Sequence, residues 1–95
     1  MNLETVKTHR QAILEIAARH GASNVRIFGS VVRGESKGDS DVDFLVELEE
    51  GRDLFDLGAM LMDLQDLLHC RVETVTEPAL HERIRENVLR EAVPL

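Results

Sequence analysis

The sequence predicts an α/β fold of the α+β kind, a small mixed β-sheet flanked by helices. Three observations carry this. Apolar residues recur at helical spacing in residues 3–19, 54–69 and 77–92. Short runs rich in β-branched residues lie between them, at 25–28, 41–48 and 71–76. The second of these runs follows the first too closely for a full crossover helix, which favours a mixed sheet over a wholly parallel one.

In chain order, Leu3, Val6, Ile13, Leu14 and Ala17 form a helical stripe interrupted by Arg10, with Asn2 as N-cap and Gly21 as the residue after the C-cap. His20 to Asn24 makes a turn into the first strand, Val25 to Phe28. Val31 to Gly34 forms a helical turn, and Glu35 to Ser40 is a polar loop. In the second strand, Asp41 to Leu48, Val42, Phe44, Val46 and Leu48 share one face. Asp41, Asp43, Leu45 and Glu47 share the other, so the aspartates belong at the mouth of the sheet. Asp53 caps a helix over Leu54 to His69, whose stripe is Leu54, Leu57, Met60, Leu61, Leu64, Leu67 and Leu68. Phe55 and Met62 fall off that stripe, either as the second edge of a buried helix or as a partner surface. Arg71 to Thr76 is the third strand. Thr76 and Pro78 open the last helix, which carries Leu80, Ile84 and Val88 on one side and ends before Pro94.

With 95 residues, the chain is expected to be a single domain spanning 1–95. It has three Phe and neither Trp nor Tyr, and a formal net charge of −7. Scarce aromatics remove the stacking platforms of single-strand binders, and the acidic balance opposes a grip on a long phosphate backbone. No stable direct nucleic-acid binding is expected. Cys70 is the single cysteine, so neither an internal disulfide nor a cysteine-based zinc cluster can form. No apolar run reaches membrane-spanning length and the N-terminus has no signal-like segment, so a cytoplasmic location is expected.

Two features are hard to explain by folding alone. Gly29-Ser30 comes straight off the first strand into a tight turn, where a backbone without a Cβ, amide N–H groups and a hydroxyl can cradle phosphate oxygens. Arg33, one helical turn on, can bring a guanidinium to the same oxygens. Asp41 and Asp43, at i and i+2 of a strand, point to one side, and adjacent like charges usually persist with a cation between them. A glycine-serine turn facing a carboxylate pair is what a Mg²⁺-nucleoside triphosphate site needs. Each feature alone is a common turn dipeptide or a common strand start; the combination in this order is the signal.

Gly29-Ser30, ten intervening residues, then Asp41-Val42-Asp43, with Arg33-Gly34 and the run Phe44-Leu45-Val46, resembles the signature of the nucleotidyltransferase superfamily that includes DNA polymerase beta. The short length is similar to that of the minimal nucleotidyltransferases, many of them antitoxins paired with a HEPN-domain protein. The resemblance implies the nucleotidyltransferase fold, two Mg²⁺ ions and ATP as substrate. It implies metal and catalytic roles for Asp41, Asp43 and Glu73, and nucleotide contacts for Gly29, Ser30, Arg33 and Ser40. Glu73, on the third strand, stands where the family more often has Asp. It either completes the metal site or makes a surface pair with Arg71.

What the resemblance implies about function is AMP transfer from ATP to a hydroxyl of a HEPN-type RNase toxin, which silences it. Two alternatives remain open: a weakly active or inactive module of the same fold that neutralises its partner by binding, and a nucleotidyltransferase acting on a small molecule. His69-Cys70, His9, His20 and His81 lack ligand spacing and read as structural. Lys37 and Arg52 are loop cations that could touch phosphates but are more often solvated.

Overall fold

The computed structural model describes residues 1–35 and 41–95. Two short helices open the chain, α1 (Leu3–Thr8) and α2 (Arg10–Arg19), followed by β1 (Ala22–Phe28) and the single-turn helix α3 (Ser30–Arg33). Then come β2 (Val42–Leu48), the long helix α4 (Leu54–Leu68) and β3 (Val72–Thr76). A 3₁₀ turn over Glu77–Ala79 leads to α5 (Glu82–Glu91) and a two-residue strand β4 (Val93–Pro94). The sheet order is β3-β2-β1-β4, with β1 antiparallel to β2 and β4, and β2 parallel to β3. The expected mixed sheet is what forms.

The predicted first helix is divided at His9. Thr8 Oγ1 donates to the Thr5 carbonyl at 2.6 Å, and His9 Nδ1 lies 2.9 Å from the same oxygen. The His9 amide bonds the Val6 carbonyl, so the turn tightens there before α2 resumes. The first strand starts three residues earlier than predicted, at Ala22. Its pairing with β2 shifts between Ser23 and Arg26, where Asn24 takes φ +48°, and this bulge hid the strand from a reading based on alternation.

Asn2 and Asp53 cap as expected. Asp53 and Asp56 form a reciprocal capping box on α4, and Asp53→Ala is expected to cost about 1 kcal/mol, read as a lower midpoint in urea unfolding. The last helix starts later than the Thr76-Pro78 signal suggests. Leu80 keeps an extended backbone that buries its side chain, and the His81 side chain then accepts from the Arg83 amide to cap α5. β4 has no sequence signal, being too short for periodicity and half proline; Pro94 is tolerated because it sits on an edge strand.

The main core packs Val6, Ile13, Ile16 and Ala17 with Met60, Leu64 and Leu68 over Ile27, Val42, Phe44 and Val46. On the opposite sheet face Leu45 packs with Leu80 and Val88, with Phe28, Val75 and Ala92 against them. α5 therefore covers part of that face. Leu54, placed on the buried stripe by periodicity, is 79% exposed, and Phe55 is 88% exposed and Met62 58%. The first turn of α4 projects past the sheet, so the helical period alone overstates the buried face. Among the described residues no helix is long and apolar enough to cross a membrane.

Candidate active site

The register of the sheet puts the candidate site together. Asp43 on β2 pairs across to Phe28 on β1, the residue before Gly29, and on its other side to Glu73 on β3. The end of β1 thus delivers the Gly29-Ser30 turn beside the Asp43 carboxylate. Gly29 has φ +85° and ψ −159°, a region essentially reserved for glycine, and a Cβ there would collide with Asp43 Oδ2. Only hydrogen at this position lets the turn and the carboxylate approach one another. Beyond it, Ser30 and Val31 begin α3, and their amides have no carbonyl within the helix to bond.

Asp43 is half-buried, and its carboxyl is pushed up to about 6. Burial is the main cause, followed by the charges of Glu73 and Asp41 and a hydrogen bond with Glu73; Arg33 pulls weakly the other way. This is the signature of a carboxylate crowded by others. Asp41 lies just before β2, where the Val42 amide bonds the Arg71 carbonyl. Its Oδ1 accepts from Arg71 Nε at 2.9 Å. The alternative of a surface pair for Arg71 is realised, but with Asp41 rather than with Glu73.

Glu73 instead joins Asp43, the position expected of a third site carboxylate. Among the described residues no group of three or more His, Cys, Asp or Glu side chains closes on a common point. The structure brings Gly29, Asp43 and Glu73 together and keeps Asp41 on the same strand end, engaged by Arg71. All three carboxylates are hard oxygen donors suited to a divalent cation such as Mg²⁺, and the raised Asp43 carboxyl is the penalty such a cation would relieve.

Arg33 projects from α3 with Nε donating to Glu35 at 2.6 Å and Nη1 donating to Glu91. Its guanidinium is raised above its ordinary value by those two carboxylates. Glu91, from α5, escaped the sequence reading because it belongs to no motif and lies far along the chain from the turn it touches. Ser40 and Lys37 lie outside the described residues. Arg52 is structural: it bonds Glu49 and Asp56, and its side chain covers Gly21. His20 pairs with Asp63 at 2.7 Å, His81 caps α5 and His69 ends α4, consistent with structural roles.

A family model described as a nucleotidyltransferase domain matches residues 7–95. This chain belongs to the nucleotidyltransferase domain family. The nucleotidyltransferase is 43% identical over 79 residues to a chain of Thermococcus cleftensis named protein adenylyltransferase MntA, covering 83% of this chain and 80% of that one. It is 54% identical, with a TM-score of 0.87, to a solved structure provisionally described as a minimal nucleotidyltransferase, covering 100% of this chain and 97% of the other. A crystal structure described as a toxin-antitoxin with AMP-PNP shares the fold at a TM-score of 0.75 and 17% identity, covering 88% of this chain and 69% of that one.

Proposed function

We propose that this nucleotidyltransferase is a single minimal domain that transfers AMP from ATP to a hydroxyl side chain of a partner protein, and that it acts as the antitoxin of a HEPN-type RNase toxin. The observation that carries the reading is the Asp43 carboxylate seated against the Gly29-Ser30 turn with Glu73 in register beside it. In this reading the turn supplies phosphate-binding amides and the carboxylates bind metal at the same sheet end. The relative named protein adenylyltransferase MntA supports AMP and a protein acceptor, and the AMP-PNP in the toxin-antitoxin structure supports a nucleotide and a toxin partner.

In this reading Asp41, Asp43 and Glu73 would hold magnesium, which when bound would supply neutralisation of phosphate charge and a lowered pKa for the acceptor hydroxyl. The Gly29-Ser30 turn with the Ser30 hydroxyl, Arg33 and Ser40 would hold the triphosphate. The acceptor oxygen forms a bond to the α-phosphorus, the bond to the leaving pyrophosphate breaks with its electron pair going to pyrophosphate, and the hydroxyl proton passes to solvent water. Leu54, Phe55 and Met62 provide apolar surface that a protein partner can cover.

A second reading, neutralisation by binding alone, is favoured by one observation: Asp41 is held by Arg71 rather than grouped with Asp43 and Glu73. Intact mass spectrometry separates the two. A HEPN-domain protein incubated with this chain, ATP and Mg²⁺ is expected to gain one or more AMP units, and to gain none with Asp41→Asn. An unmodified but silenced partner in a stable complex would leave the binding reading; an unmodified and active partner would sink both.

A further inference from the structure

Glu91 is the last residue of α5. The Gly29 amide donates to its Oε1 at 2.8 Å, and Arg33 Nη1 donates to Oε1 at 3.0 Å and to Oε2 at 3.1 Å. A carboxylate facing a backbone amide and a guanidinium resembles a phosphate in the same place, so Glu91 is either a plug that nucleotide must displace or a brace that shapes the site.

Three details decide for the brace. The amide it takes belongs to Gly29, before α3, whereas the Ser30 and Val31 amides that open the helix are not those it binds. On Arg33 it uses Nη1 while Glu35 uses Nε, which fixes the guanidinium plane without engaging Nη2 through either carboxylate. The Glu91 side chain is also the more covered partner, 23% exposed against 48% for Arg33, so it lies on the protein side of the ion pair. Glu91 bonds the Gly29 amide, and the Asp43 carboxylate fills the space a Cβ at Gly29 would need, so both side chains border the turn.

We propose that Glu91 is a positioning residue for nucleotide binding: the end of α5 orients the Gly29 turn and the Arg33 guanidinium toward the triphosphate. This rests on the nucleotide-site reading above. It also gives α5 a second task besides covering Leu45.

The test measures binding of Mg·AMP-PNP by calorimetry to the full chain, Glu91→Ala, Glu91→Gln, Arg33→Ala and the Glu91→Ala/Arg33→Ala double variant. Glu91→Ala is expected to bind about tenfold more weakly, with Glu91→Gln between it and the unaltered chain, because the amide keeps the size and one acceptor but loses the charge. The double variant is expected to lose less than the product of the single losses, because Glu91 acts through Arg33. Tighter binding by Glu91→Ala would establish the plug instead. Unchanged binding, or losses that multiply in full, would overturn the proposal. A parallel arm needs no nucleotide: exchange of the Gly29 amide, which donates to Glu91, followed by NMR, is expected to be slow in the unaltered chain and faster in Glu91→Gln. If the unaltered chain binds no Mg·AMP-PNP, the nucleotide-site reading fails and the positioning role fails with it; exchange then reports only whether the contact forms.

Discussion

Asp43→Asn is expected to abolish transfer while making the metal-free protein more stable. Asp43 is half-buried beside Glu73 and Asp41, and its carboxyl titrates near 6 rather than 3.8. Between those values the folded chain binds a proton that the unfolded chain does not. The penalty is therefore fully present above about pH 6 and disappears as pH falls through 3.8. Screening at a half-exposed group leaves about 1 kcal/mol of it. Urea unfolding in the presence of a chelator at pH 7.5 should favour Asp43→Asn by that amount, and the advantage should vanish near pH 4. In the same variant AMP transfer should fall by about 10³-fold, because a metal-holding carboxylate contributes several kcal/mol to charge neutralisation in the transition state. Gain of stability with loss of activity identifies a strained functional carboxylate. Loss of both would mean that Asp43 serves the fold.

Gly29→Ala carries the second large effect, with both stability and activity falling. The backbone at φ +85° and ψ −159° costs a residue with a Cβ about 1–3 kcal/mol. The new methyl would also meet the Asp43 carboxylate, which must rotate away from Glu73 or push the turn off β1. Either movement misplaces the phosphate-binding amides relative to the carboxylates, and a displacement of about 1 Å at a reacting site costs about 10²-fold in rate. Gly34→Ala is the matched control. It also has positive φ, at +73°, but a Cβ there meets nothing among the described residues, so it should lose stability through backbone strain with little effect on transfer. Equal activity losses in the two variants would show that strain alone accounts for Gly29.

The candidate site residues could be proposed from the sequence because their features are local. Gly29-Ser30 at the end of one strand and Asp41 and Asp43 at the head of the next are placed by strand period and turn chemistry, and both depend on near neighbours only. The mixed sheet followed from the short connection between β1 and β2, and the caps Asn2 and Asp53 followed from side chains that bond amides two or three residues away. The break at His9 was a local feature that periodicity does not read, set by Thr8 and His9 reaching the Thr5 carbonyl within one turn. The other failures were non-local: β1 starts early across a register shift in its pairing with β2. The last helix yielded its first turn so that Leu80 could reach Leu45 across the sheet.

By itself, then, the sequence determined a mixed α/β fold, a buried stripe on α2 and α4 and a glycine-serine turn followed by two aspartates, all set by spacing along the chain. The tertiary structure alone decided the partners. It gave Arg71 to Asp41, set Glu73 against Asp43, and brought Glu91 to Gly29 and Arg33 from the far end of the chain. Charged side chains pair with whatever the packed core brings within about 3 Å, and that core is assembled by apolar burial that takes no account of which charges it juxtaposes.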